Sequence, residues 1–368
     1  MNTLKYEQLK QIIQNNIRDG IWKAGQKIPA ENLLCKQFDV SKTTVKKAKH
    51  DLLMEGVLET LPGRKGAFVT HVTTQPFSST GLIGVAISDV NDPHFALILK
   101  GIEDKLWENK LHTILCNAYY DVDKVEEYIS SLIAQRVAGM IFSPVIGPEY
   151  IENNRRIIQM LTEHHVPYVL VDRYIPGLFL NAVVSNNIQG SKVLTETLLQ
   201  KGHTRILVLT GLECSSTNER LQGHLEALQE AGIDHDPRLL IRINDILPPD
   251  QQQQVDELKR IRALVQKAGG FTACYTMNST LLRTALQVLC PHTDPSAAIP
   301  FEIATYDYSI NELFGHTNRV TVAKQPGYHM GWEAAKLLLK NMKNPDQYIV
   351  QMAIKTEIVE ETLPPLRR

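Results

Sequence analysis

The stretch Phe38–Leu52, "FDVSKTTVKKAKHDL", places Lys42, Lys46, Lys47 and Lys49 within eight residues of a chain whose formal net charge is only -1. On a helix opening after Ser41, the residues Val45, Ala48 and Leu52 recur at spacings of three and four and form a buried stripe. At about 100° per residue, Thr43, Lys46 and Lys47 face away from that stripe, and Lys42 and Lys49 flank it. Ser41 is a suitable cap for the first turn. Two readings compete: a solvated helix face, or a helix that meets a polyanion. Lysines neutralise phosphates or donate to guanine edges, and threonine hydroxyls reach phosphates or bases in a major groove.

The neighbouring sequence favours the polyanion. Upstream, "YEQLKQIIQNNIRDG" carries Leu9, Ile12, Ile13 and Ile17 at helical spacing and stops at Gly20. "PAENLLCKQFDV" predicts a second helix that begins at Pro29, with Glu31 in its first turn. Downstream, the β-prone runs Val57–Leu61 and Ala67–Thr70 flank the turn Pro62-Gly63-Arg64-Lys65-Gly66, a basic hairpin whose tip suits a minor groove. Residues 1–72 hold 12 Lys+Arg against 7 Asp+Glu, a net of +5, while the remaining 27 basic and 33 acidic residues give -6. A basic module on an acidic body predicts that the module alone meets a polyanion.

These residues resemble the winged helix-turn-helix of the GntR family of bacterial transcription regulators. The resemblance is carried by Tyr6, Gly20, Gly25, Ile28-Pro29, Glu31, Phe38, Val40-Ser41, Thr44-Val45, Ala48, Leu52, Glu55-Gly56, Leu58, Gly63, Gly66 and Phe68-Val69. It implies DNA contacts by Asn32, Ser41, Lys42, Thr43, Thr44, Lys46, Arg64, Lys65 and Gly66. Lys42 and Lys46 stand where the family usually has Arg. Lys keeps phosphate binding but lacks the fork that pairs bidentately with guanine.

Residues 1–71 are therefore expected to form a DNA-binding domain. Residues 72–81, "VTTQPFSSTG", are polar and without a helical stripe, and read as a linker to a domain over 82–368. From Leu82 onward, near-continuous apolar strands such as "LIGVAIS", "VAGMIFS", "RILVLTG" and "FTACYT" alternate with amphipathic helices. That alternation predicts an α/β fold of parallel sheets covered on both faces, and the number of βα units predicts two doubly wound lobes. A single barrel is the runner-up. Ligands of open α/β sheets sit beyond the carboxyl ends of the strands, and here those ends carry polar residues.

The body resembles the effector domain of the LacI/GalR repressors, which is similar to periplasmic sugar-binding proteins. "IGVAISDVNDPHFALILKGIE", "VPYVLVDR", "ERLQGHLEALQEAGI", "YDYSINELF" and "VTVAKQPGYHMGWEAAKLLL" carry the likeness. Joined to a GntR reader, such a body is similar to the arabinose-responsive repressors. The resemblance implies a sugar effector, L-arabinose first, bound by His94, Phe95, Arg173, Arg220, Asn278, Asp307 and Gln325. Arg220 and Asp307 would clamp vicinal hydroxyls, and Phe95 would stack on the ring. Five of them also have a plainer reading: Asn278 as a helix cap, Asp307 as a cap or turn, Phe95 as core, His94 as a loop residue and Arg220 as a surface ion pair with Glu219. Departures from the family pattern fall at Met277-Asn278-Ser279 and Thr305-Tyr306-Asp307-Tyr308, where a second acid is missing.

The cysteines, five and without CxxC spacing, read as free thiols. The adjacent pair His164-His165 shares no helix face, so no metal is expected. No cofactor is expected either. No run approaches the roughly 18 apolar residues of a membrane span, and the N-terminus lacks the pattern of a signal peptide. The chain is thus expected in the cytoplasm, as a homodimer on double-stranded operator DNA. No GxSxG, Walker A or HExxH motif occurs, which disfavours an enzyme tethered to DNA. A transport-type sugar binder is disfavoured by the basic reader.

Overall fold

The computed structural model describes residues 2–18, 20–23, 25–54, 57–61, 64, 66–69, 80–244, 251–290, 299–307, 319–344 and 349–362. The chain divides into two compact units, Met1–Ser79 and Thr80–Arg368. Pro62, Gly63 and Lys65 of the hairpin turn and residues 72–79 of the linker lie outside the described residues.

In the first unit, α1 (Asn2–Arg18), α2 (Glu31–Phe38) and α3 (Lys42–Met54) precede a hairpin of β1 (Leu58–Glu59) and β2 (Phe68–Val69). The second helix starts two residues later than Pro29 implied, with Ala30 in extended conformation at its cap. Its end is set by Asp39, whose left-handed φ of 46° turns the chain toward α3. Leu9 and Ile13 of α1, Leu34 of α2, and Val45, Ala48 and Leu52 of α3 are fully buried together. The stripe expected on the third helix is therefore the core of this unit.

The second unit has two lobes, each built on a six-stranded sheet, which excludes the single barrel. One sheet runs β13-β7-β6-β5-β3-β4, with β3 Leu82–Ile87, β4 His112–Asn117, β5 Gly139–Phe142, β6 Tyr168–Val171, β7 Ala182–Ser185 and β13 Gln351–Ile354, all parallel. It is covered by α4 (Pro93–Trp107), α5 (Val122–Ala134), α6 (Tyr150–Glu163) and α11 (Gly327–Lys343). The other runs β14-β12-β11-β10-β8-β9, with β8 Ile206–Thr210, β9 Leu240–Arg242, β10 Ala273–Thr276, β11 Glu302–Tyr306, β12 Arg319–Lys324 and the antiparallel β14 Glu357–Thr362. Its helices are α7 (Asn187–Gln200), α8 (Ser215–Glu230), α9 (Gln251–Ala268) and α10 (Ser279–Leu289). The "LIGVAIS" and "RILVLTG" strands are buried along almost their whole length, as strands covered on both faces must be.

The chain passes between the lobes three times: from β7 to α7 at Ser185–Asn187, from β12 to α11 at Lys324–Gly327, and from β13 to β14 at Ile354–Glu357. Each lobe also holds a helix pair at glycine distance. A Cβ on Gly331 of α11 would lie 1.9 Å from the Ile98 carbonyl oxygen of α4, and one on Gly223 of α8 would lie 2.1 Å from that of Ile188 in α7. Backbone cannot yield as a side-chain tip can. Gly331→Ala should therefore destabilise the second unit by about 1–3 kcal/mol, the usual cost of forced overpacking. Urea unfolding of the full chain measures this, and an unchanged midpoint would show that α4 and α11 separate freely.

Candidate functional site

In the first unit, Ser41 caps α3 by accepting a hydrogen bond from the Thr44 backbone N–H at 3.1 Å. The Ser41 and Thr44 hydroxyls share a second bond of 2.8 Å. Thr44 is buried, so it does not join the outward face that Lys42, Thr43 and Lys46 present. The four lysines divide. Lys49 pairs with Glu31 of α2 at 3.3 Å. Lys47 lies 4.6 Å from the centre of the Tyr6 ring, whose hydroxyl bonds Asp51. Among the described residues Lys42 and Lys46 have no ion pair, and both are exposed. Asn32, Arg64 and Gly66 are exposed, Gly66 with a φ of 122° that favours glycine, and Lys65 lies outside the described residues.

In the second unit the carboxyl ends of the strands surround a polar cleft. His94, Phe95, Arg173, Arg220, Asn278, Asp307 and Gln325, all singled out from sequence, line it together. His94 lies in the first turn of α4, after the Asp92 cap and Pro93. Asp172 and Arg173 follow β6, Asp307 follows β11 and Gln325 follows β12. Asp172 and Asp307 both have left-handed backbones, with φ of 71° and 41°. Strain of this kind, about 1–3 kcal/mol per residue, persists where surroundings fix it, as at binding sites.

A buried electrostatic cluster orders one wall. Asp172 accepts from His94 Nε2 at 2.9 Å and pairs with Arg173 Nη2 at 3.2 Å. Arg173 Nη1 donates to Ser88 Oγ (3.2 Å), Ser143 Oγ (2.9 Å) and the Pro144 carbonyl (3.2 Å), tying the ends of β3, β5 and β6. Burial pushes the Asp172 carboxyl up, but the Arg173 charge and the His94 hydrogen bond outweigh it and hold the group well below the usual carboxylate range. Burial alone would lower His94, yet the hydrogen bond and charge of Asp172, joined by Asp307 and Asp92, raise it. His94 Nδ1 is buried, makes no hydrogen bond, and has Asp307 Oδ2 of the other lobe 4.0 Å away.

The other wall is set by Arg220. Its Nε donates to Asn187 Oδ1 at 2.8 Å and its Nη1 to the Met277 carbonyl at 2.5 Å, while the guanidinium lies 3.8 Å over the Tyr306 ring. It is not the surface ion pair with Glu219 that adjacency suggested. Asp307 accepts from the Gln325 backbone N–H at 2.9 Å and from its amide, and the amide oxygen of Gln325 accepts from Ser185 Oγ at 2.8 Å. Gln325 thus holds Asp307 in place from the second lobe crossing. Asn278 does cap α10, accepting from Leu281 N–H at 2.8 Å, and lines the cleft from that position. Phe95 is 2% exposed within the first lobe's core, with the Arg173 guanidinium 5.5 Å over its ring. The core reading accounts for its placement, and stacking on a ligand would have to displace that cation.

The sequence reading did not include Asp92, Tyr120, Ser216 and Thr217, which also line the cleft. Asp92 was legible as a cap before Pro93. Tyr120 was not, because its placement follows from two consecutive left-handed residues, Tyr119 and Tyr120, with φ of 50° and 63°. Carboxylates, two guanidiniums and several hydroxyls converging on one cleft suit a small polyhydroxylated molecule. Among the described residues no group of three or more His, Cys, Asp or Glu is placed to hold a metal ion, and no helix is long and apolar enough to cross a membrane.

A winged helix beside a two-lobed body with a polar cleft defines an effector-controlled DNA-binding regulator. The chain belongs to the family of periplasmic binding proteins and sugar binding domains of the LacI family, matched over residues 80–289, and residues 5–69 match the bacterial regulatory proteins of the gntR family. It is 26% identical to the arabinose metabolism transcriptional repressor of Geobacillus stearothermophilus, over 91% of this chain and 90% of that one. It is also 26% identical to the HTH-type transcriptional regulator GalR of Escherichia coli (strain K12), over 71% and 72% of the two chains. The solved complex of the transcriptional regulator CelR with cellobiose shares the fold, with a TM-score of 0.63 at 24% identity over 88% of this chain and 91% of that one. The protein is a transcription regulator and not an enzyme.

The raised His94 pKa gives a pH test. A group whose folded pKa lies above its unfolded value of about 6.5 stabilises the fold fully below that value, and the contribution is lost as pH rises through the folded pKa. The thermal midpoint of the second unit should fall as pH rises above about 6.5, and His94→Gln should flatten that slope. An undiminished slope in the variant would assign the titration to another group.

Proposed function

We propose that the protein represses transcription from operator DNA and is released by a sugar bound in the cleft, with L-arabinose the first candidate. The carrying observation is the convergence of seven residues, drawn from both lobes and a lobe crossing, on one polar cleft. The curated relatives in Geobacillus stearothermophilus and Halalkalibacterium halodurans, both named arabinose metabolism transcriptional repressors, support L-arabinose. Arg220 and Asp307 hold adjacent hydroxyls, and His94 Nδ1 takes a third. Lys42, Thr43 and Lys46 enter the major groove, with Asn32, Ser41 and the wing residues Arg64, Lys65 and Gly66 on the backbone around it. The Ser41–Thr44 pair fixes the start of the reading helix.

Two copies act together in the cytoplasm, because paired half-sites require a two-fold assembly. The outer face of the first lobe suits that contact. Trp107 of α4 is 73% exposed, and Leu115 of β4 and Tyr119 just after it are exposed along the sheet's outer edge. Sugar binding changes the disposition of the lobes and lowers DNA affinity through a coupling of about 1–3 kcal/mol.

A gel retardation assay on DNA upstream of the protein's own gene, with L-arabinose, D-xylose, D-ribose, D-galactose and cellobiose, tests this. The expected result is a shifted band that one sugar abolishes. Lys46→Ala should weaken the complex and reduce the salt slope by about 0.9. Asp307→Ala should keep the complex and lose about 1–3 kcal/mol of sugar affinity. A complex indifferent to every sugar would contradict the reading.

A further inference from the structure

Glu219 stands one residue before the cleft cation Arg220, and both of its oxygens are engaged. Oε1 accepts from the hydroxyl of Tyr174, which follows β6 in the first lobe, at 2.9 Å. Oε2 accepts from Asn187 Nδ2, at the first crossing between the lobes, at 3.1 Å. The same Asn187 side chain accepts from Arg220 Nε through Oδ1 at 2.8 Å, and the Asn187 backbone carbonyl accepts from the Tyr306 hydroxyl at 3.0 Å. Tyr306 in turn lies beneath the Arg220 guanidinium. A second bond, from the Tyr174 backbone N–H to Ser215 Oγ at 3.0 Å, fixes Tyr174 to the start of α8. Among the described residues Glu219 forms no ion pair, so its charge is spent on two neutral donors. Hydrogen bonds to an ionised acceptor are shorter and about twice as strong as neutral ones.

We propose that Glu219 is a positioning residue that links the orientation of Arg220 in the cleft to the contact between the lobes. This rests on the reading of the cleft as the sugar site. A sugar that engages Arg220 loads the Asn187–Glu219–Tyr174 chain, and the lobe contact responds. Separation of the lobes releases Tyr174 from Glu219, which leaves the Glu219 carboxylate with one fixed partner fewer, and so loosens the Asn187 and Arg220 side chains it braces. Glu219 itself does not line the cleft. Its effect on sugar affinity is carried through Asn187, and another contact between the lobes, from Gly147 N–H to the Glu213 carbonyl at 2.9 Å, bypasses it.

The test uses the full chain and two readouts. Calorimetric titration with L-arabinose, and with D-xylose, D-ribose and D-galactose, should show Tyr174→Phe weakening sugar binding about tenfold, the loss of one charge-assisted bond. Glu219→Ala should weaken it further, and Glu219→Gln, which keeps an acceptor, should recover part of the loss. Thermal unfolding without sugar should give non-additive shifts for Tyr174→Phe and Glu219→Ala, since both remove the same bond. Additive shifts overturn the link, as does sugar affinity unchanged in both variants. A wild type that binds none of these sugars overturns the reading of the cleft, and the coupling with it.

Discussion

Three passages of the chain between two sheets are the constraint on which the sensor depends. Because strands β7, β12 and β13 each end in one lobe while the next element begins in the other, any motion of one lobe against the other must bend the backbone at the crossing residues. The crossings also supply site chemistry. Ser185 and Asn187 come from the first and Gln325 from the second. Gln325 holds Asp307, and Asn187 holds Arg220, so the groups aimed into the cleft are braced by the backbone that must bend when the lobes move. A ligand that favours one arrangement of these groups shifts the lobes by its differential affinity and by nothing more.

The polar cleft remains open to a neutral ligand because its strongest charges are already balanced. Arg173 and His94 face Asp172, and Arg173 is further tied to three strand ends. That cluster is a rigid wall rather than a set of free ligands. Asp307 and Arg220 keep fewer fixed partners and belong to the second lobe. The DNA reader divides its charge in the same way. Lys49 and Lys47 are held by Glu31 and Tyr6, which fastens α3 to its neighbours, while Lys42 and Lys46 are exposed and form no ion pair among the described residues.

Much of this was legible in the sequence. The stripe Val45, Ala48 and Leu52 is the core of the reader, and the apolar runs from Leu82 onward became buried parallel strands. Polar residues at strand ends pointed to the cleft, since that is where an open α/β sheet presents side chains. The crossings were not legible, because a strand that hands the chain to the other lobe looks like any other. Strand β13, at a sheet edge, alternates between exposed and half-buried residues and lacks the continuous apolar signature. Phe95 stood between a core and a stacking reading, because periodicity places a residue on a face but cannot show that a guanidinium covers it. The Pro29 start failed by two residues because proline is tolerated before a helix as well as in its first turn.

If the cleft and the DNA reader share one coupling free energy, their effects on each other are reciprocal. Sugar affinity would be determined by calorimetry with the protein free and with it saturated by operator DNA, and operator affinity with and without saturating sugar. Sugar should bind more weakly to the DNA complex, by the same factor by which sugar weakens DNA binding. Equal sugar affinity in the presence and absence of operator DNA would contradict it.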